Sequence, residues 1–182
     1  MTPASTVRFV GACLALTSLV ACGAQASVTA PTTLIVVRHA EREPGDDPPL
    51  NAEGLKRAES LAKALEQAGL TAIYTTQYIR NRQTAEPLAA RRGVAVTVRP
   101  IDFDETVAYV ANLLEDIRRN HPGGVVLVIG HANGMNAQIF AQLGGVGAGP
   151  NRYEDLYVVT LPYDSAPRLV LGTYGGRSSL DP

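Results

Sequence analysis

Two histidines and two arginines carry the chemistry this sequence offers, because each falls where an aliphatic run ends. His39 directly follows Leu34-Ile35-Val36-Val37-Arg38, and His131 follows Val125 to Ile129 after one glycine. Arg38 precedes the first histidine, and Arg80 stands a few residues past the short run Ala72 to Tyr74. A guanidinium presents a fork of donors that matches an oxyanion, and a helix N-terminus adds to such a receptor. Nearby positive charge disfavours imidazolium, and a neutral imidazole nitrogen is a nucleophile. The set therefore points to a phosphate-like group held by arginines and attacked by histidine. A metal site of His39, His131 and a carboxylate is the rival on residue types alone, and the flanking arginines oppose it because they repel a divalent cation.

These residues meet only if the elements before them are neighbours. Leu34 to Val37 reads as a strand buried on both faces, and Val125 to Ile129 reads as a second. Between them, Glu43 to Pro49 is a loop with three prolines and a glycine. Asn51 is placed to cap a helix, Leu50 and Leu55 stand at hydrophobic-staple spacing, and Leu55, Ala58, Leu61, Ala62 and Leu65 form its apolar face, with Gly69 ending it. Ala72 to Tyr74 is a strand, Asn81 to Arg92 a helix closed by Gly93, and Val94 to Val98 a strand. Asp104 is placed to cap a helix carrying Val107, Val110, Leu113, Leu114 and Ile117. A helix from about Gly134 to Leu143 and two closing strands, Leu156 to Leu161 and Arg168 to Tyr174, complete the chain. Alternation of strands and helices predicts a three-layer α/β/α domain with a mostly parallel central sheet. In such sheets ligands lie beyond the carboxyl ends of the strands, where His39 and His131 fall.

Arg38-His39-Ala40-Glu41 after a hydrophobic strand resembles the Arg-His-Gly motif of the histidine phosphatase, or phosphoglycerate mutase-like, superfamily. The resemblance continues through Leu50-Asn51 with Gly54 and Ala58, through Ile73-Tyr74-Thr75-Thr76 to Arg80 and Gln83-Thr84-Ala85, and through Ile129-Gly130-His131. It implies a phosphoglycerate mutase-like fold and a phosphatase acting on a phosphomonoester or phosphoramidate without metal or other cofactor. It further implies that His39 is the catalytic nucleophile, that Arg38 and Arg80 hold the phosphate oxygens, and that His131 completes the catalytic and substrate-binding pocket. Thr76-Gln77 stands where the family has Ser-Pro, and Ala132 where it has glycine. The family's general acid is often a glutamate in an insertion that this chain lacks, which leaves Glu105, Asp104 and Asp102 as candidates by location and Glu41 by adjacency. A non-catalytic protein binding a phosphorylated ligand or envelope partner in the same pocket is the alternative, and phosphoglycerate mutase activity ranks behind both.

The N-terminus reads as a signal for export. Phe9 to Val20 is an apolar run too short for a comfortable membrane span, and Leu19-Val20-Ala21-Cys22 resembles a bacterial lipobox. Residues 1–21 thus read as a lipoprotein signal, Cys22 as the lipidation site, 22–31 as a tether and 32–176 as the domain. Cleavage after Ala26 is the rival and would release a secreted or periplasmic protein. Cys13 and Cys22 both fall before the domain, so no cysteine metal site or disulfide is available to it. A net charge of -1 leaves no nucleic-acid footprint. The expected partners are a small-molecule phosphate ester and, through the lipid alone, a membrane of the cell envelope. His121, Arg42 and the pairs Arg91-Arg92 and Arg118-Arg119 read as solvent-facing, and Tyr153, Tyr157 and Tyr163 as packing residues.

Overall fold

The computed structural model describes residues 30–147, 149–162 and 164–180. The expected signal, Cys22 and most of the tether lie outside the described residues, as does Tyr163.

Strand β1 (Thr32–Arg38) lies in the middle of a six-stranded sheet of order β3-β2-β4-β1-β5-β6, with β2 Ala72–Thr75, β3 Val96–Val98, β4 Val125–Gly130, β5 Asp155–Leu161 and β6 Arg168–Thr173. The block β3-β2-β4-β1 is parallel, and β5 and β6 extend it antiparallel, so the sheet is mixed. Alternation along the strands builds two cores. Leu34, Val36, Val126 and Val128 face Val110, Leu113, Leu114 and Ile117 of α3 (Thr106–Asn120) and Ile139 of α4 (Ala137–Gln142). Ile35, Val37, Leu127 and Ile129 face Leu61 and Ala62 of α1 (Ala52–Ala64) and Ala85 and Leu88 of α2 (Ile79–Arg92). Each fully buried aliphatic side chain contributes about 1.5–3 kcal/mol, enough to make these two seams the main hold on the sheet. Helices on both sheet faces give the three layers read from the sequence.

Local chemistry sets the boundaries. Asn51 caps α1 as expected, its Oδ1 accepting from Gly54 N at 2.9 Å, and Gly93 closes α2 in the left-handed conformation. The staple does not form. Leu55 is 54% exposed, while Leu50 packs with Ala40 and Ala58. Gly54 is the reason: a Cβ there would lie 1.9 Å from the Glu41 carbonyl oxygen, so α1 approaches the residues after β1 backbone to backbone, turning Leu55 outward. Helix α1 also stops at Ala64, before Gly69, whose positive φ serves the turn into β2. Asp104 caps nothing: Asp102 accepts from Asp104 N at 3.0 Å, closing a 3-10 turn over Phe103–Glu105 that precedes α3. That displaced start leaves Val107 63% exposed. His121 is half-buried rather than solvent-facing, its Nε2 2.9 Å from the Tyr74 hydroxyl, which donates to Asp116 at 3.1 Å.

Candidate active site

The sheet register places the two histidines side by side. Arg38 pairs with Gly130 across β1 and β4, so the next residue of each strand, His39 or His131, emerges at the same carboxyl edge. The His39 amide donates to the Gly130 carbonyl at 2.9 Å, and the imidazoles stand 5.4 Å apart, edge to face. Helix α2 then stitches both strand ends together. Asn81 Nδ2 donates to the Ile129 and Gly130 carbonyls at 2.9 and 3.3 Å, and Thr84 Oγ1 accepts from the Ala40 amide at 3.0 Å while donating to the Arg80 carbonyl. Gln83 Oε1 accepts from the Leu50 amide at 2.8 Å. Gly130 has no room for a side chain, since a Cβ would fall 2.1 Å from Asn136 Oδ1.

The hydrogen bond to His39 fixes its tautomer. Nδ1 lies 2.8 Å from the Ala40 carbonyl oxygen, which only accepts, so Nδ1 carries the hydrogen and Nε2 keeps its lone pair. Burial pulls His39 well below the ordinary imidazole value, against the Ala40 bond, and His131, Arg80 and Arg38 lower it further. His131 is pulled down to about 3, by burial first and then by Arg80, Arg38 and Arg42. Its Nε2 is 2.9 Å from Thr76 Oγ1, so the Thr76 departure touches the pocket directly.

Arg80 is buried in the first turn of α2, with its Nε buried and without a hydrogen-bond partner. Asp47, from the loop after β1, takes the Ile79 amide at 3.0 Å and Arg80 Nη1 at 3.4 Å, orienting the guanidinium. Arg38 stacks over Tyr153 at 3.6 Å and donates to the Asn151 carbonyl, while Tyr153 meets His39 edge-on at 6.0 Å. Tyr153 therefore belongs to the pocket wall and is more than a packing residue. Arg42 is half-buried and bonded to the Glu43 and Gly45 carbonyls, close enough to act on His131 and Arg80.

The structure thus brings together His39, His131, Arg38 and Arg80, and withdraws one candidate acid. Glu41 is fully buried, its carboxylate clasped by Arg57 Nε at 2.8 Å and Nη2 at 2.7 Å, because the residue after Ala40 points under α1. Asp102, Asp104 and Glu105 are exposed on the turn whose Phe103 ring meets His131 at 5.1 Å. Sequence reading missed Asp47, Thr76, Tyr78, Phe103, Tyr153 and Arg57 as residues of or behind the pocket. The Thr76-Gln77 departure was the one signal pointing there. Among the described residues, no group of three or more His, Cys, Asp or Glu is placed to hold a metal ion.

Residues 34–106 match the model of the histidine phosphatase superfamily, branch 1. Over that stretch, from β1 to the start of α3, the chain is similar to the histidine phosphatase superfamily. Its fold is similar to that of mycobacterial hydrolase 1, with a TM-score of 0.63 at 18% identity over 81% of this chain and 100% of that one. Mycobacterial glucosyl-3-phosphoglycerate phosphatase gives 0.62 at 15% identity, covering 80% and 99%, and the protein histidine phosphatase SixA gives 0.60 at 16%, covering 78% and 96%. At these identities the likeness is one of fold. A curated relative, a PE-PGRS family protein of Mycobacterium tuberculosis, is 37% identical over 84 residues, which span 46% of this chain and 14% of that relative.

Neutral histidines in this pocket make the domain acid-sensitive. An unfolded chain protonates each imidazole near 6.5, whereas His131 in the fold resists until about 3. Between those values the unfolded state binds a proton that the native state does not, so stability is full above 6.5 and falls as the pH drops, by up to about 1.4 kcal/mol per pH unit for each such group. His131→Gln should flatten the dependence of unfolding free energy on pH between 6 and 4 by nearly one proton, measured by urea denaturation at fixed pH values. An unchanged slope means that His131 is already protonated in the fold.

Proposed function

We propose that this domain is a phosphatase that hydrolyses a small phosphomonoester or phosphoramidate through a phosphohistidine on His39. The observation that carries the reading is the fixed His39 tautomer, with a free Nε2 on a neutral ring beside two arginines. Nε2 attacks phosphorus, an N–P bond forms, and the bond from phosphorus to the leaving oxygen or nitrogen breaks with its electron pair on the leaving group, which takes up a proton. Water then attacks the phosphohistidine, the N–P bond breaks, inorganic phosphate leaves, and His39 is restored. Arg38 and Arg80 neutralise the equatorial oxygens, and His131, oriented by Thr76, donates to one of them; transfer of this kind depends on positioning and charge rather than on covalent help from the protein. Structural relatives hold inorganic phosphate, vanadate and tungstate, oxyanions of the kind this arginine pair suits.

With Glu41 sequestered and Asp102 engaged in its turn, Asp104 and Glu105 are the remaining candidates for the carboxylic acid that would protonate a poor leaving group. Phosphate release from a panel of phosphomonoesters, with acid-labile and base-stable label retained on the protein, tests the mechanism. A folded domain that turns over no ester and retains no label defeats it.

The N-terminal sequence supports a second part of the proposal, attachment to a membrane of the cell envelope through lipid on Cys22. Cys22→Ser in the full chain should move the protein from the membrane to the soluble fraction of cells, and continued membrane association contradicts the lipid anchor.

A further inference from the structure

One side of the pocket mouth is aromatic. Tyr78, just before α2, and Phe103, in the turn before α3, hold their rings 6.0 Å apart at 35°, and each meets the His131 ring edge-on at 5.1 Å. Tyr78 is half-buried beneath Arg80, whose guanidinium carbon lies 4.3 Å from the ring centroid. Phe103 instead leaves 42% of its surface to solvent. One exposed apolar residue is ordinary on a protein surface. This one differs in being held in place at the edge of a phosphate pocket.

The hold comes from Gln77. Its Nε2 donates to the Ile101 carbonyl at 3.0 Å and its Oε1 accepts from the Ile101 amide at 2.9 Å, so both backbone groups of a buried residue two positions before Phe103 are clamped. Asp102 caps the turn through Asp104 N, and Thr106 Oγ1 donates to the Phe103 carbonyl at 2.8 Å. Both halves of this clamp come from one side-chain amide, so the aromatic turn is fixed by Gln77 itself.

We infer that the exposed face of Phe103, backed by Tyr78, is a leaving-group subsite that selects phosphate esters carrying a flat aromatic ring on, or one methylene from, the ester oxygen. The inference rests on the phosphatase reading above and names the substrate class of that site. The His131 ring stands 5.4 Å from the His39 ring and 5.1 Å from Phe103, so a leaving group departing on the His131 side of a phosphoryl group would meet the Phe103 face. An aromatic ring there meets a preset ring face rather than a mobile one, which spares the ordering cost of binding. The exposed carboxylates of Asp102, Asp104 and Glu105 on the same turn disfavour a second anionic group on that ring.

Benzyl phosphate and cyclohexylmethyl phosphate separate stacking from leaving-group reactivity, because both release a primary alkoxide of similar size and basicity. Ring stacking contributes about 0.5–1.5 kcal/mol, so kcat/KM should favour the benzyl ester by about two- to tenfold. Phe103→Leu should bring that ratio close to one, Phe103→Tyr should preserve it, and Gln77→Ala, by freeing the turn, should lower it. Equal kcat/KM for the two esters in the unaltered protein, or a ratio untouched by Phe103→Leu, overturns the subsite and leaves the phosphatase reading standing. Release from neither ester by the folded protein overturns the subsite, and the phosphatase reading falls with it only if no ester of a wider panel and no phosphoramidate is turned over.

Discussion

Alanine at His39 should reduce phosphate release by at least about 10³-fold, the scale of loss when a nucleophile is removed from a preorganised site. The same variant should form no labelled phosphoenzyme. It should also stay folded, because the imidazole lies at a strand end rather than between sheet and helices, and among the described residues it bonds to the adjacent Ala40 carbonyl. The cost of deletion is that carbonyl's lost donor, about 1–2 kcal/mol, eased by water entering the pocket. Vanadate or phosphate should still bind, since Arg38 and Arg80 are untouched. Loss of phosphate release with retained oxyanion binding therefore separates nucleophile from receptor. Turnover within tenfold of the unaltered protein would remove His39 from the mechanism.

The reasons this pocket could be read in the sequence are local ones. A buried parallel strand has an aliphatic run with a definite end, and the residue after that end enters the ligand crevice whatever the details of packing. His39 and His131 were legible on that ground. Arg80 was legible because it follows a strand at the mouth of a helix. Gln83, Thr84 and Gly54 belonged to recognisable blocks, and the structure shows why each is there. Thr84 and Gln83 tie α2 to the residues after β1, and Gly54 lets α1 approach them.

What escaped the sequence depends on contacts between distant segments. Phe103 and Tyr78 are 25 positions apart, and no periodicity announces that both reach His131. Tyr153 has an apolar body that fits a core as well as a pocket wall, and only its stack with Arg38 decides between them. Leu55 and Val107 were misplaced for another reason. Helical periodicity marks the face that is apolar, but the close approach at Gly54 and the 3-10 turn before Thr106 decide where each helix begins relative to its partner. Glu41 was misjudged because adjacency along a chain says nothing about direction: His39 turns toward the crevice, and two residues later the carboxylate turns beneath α1.

That carboxylate leads to the largest expected effect on stability. Glu41 is 0% exposed and Arg57 5% exposed, so neither charge has water to fall back on. Arg57 Nη1 and Nη2 also donate to the Tyr174 and Gly176 carbonyls at 3.3 and 3.0 Å, joining α1 and the segment after β6 to the residues that follow His39. Arg57→Ala strands a buried carboxylate, which costs about 3–5 kcal/mol, a large part of the 5–15 kcal/mol that holds a typical domain together. Urea denaturation should show that loss as a lowered midpoint, with phosphate release falling as the folded fraction falls. Replacing both partners, Glu41→Leu with Arg57→Met, should recover part of the stability, because two apolar side chains of similar volume carry no desolvated charge. Recovery should stay incomplete, since the Tyr174 and Gly176 carbonyls still lose their donors. A single Arg57→Ala variant that loses less than about 1 kcal/mol would mean that Glu41 finds water or a proton, and the pair would then be a contact rather than the clasp joining the histidine loop to the rest of the fold.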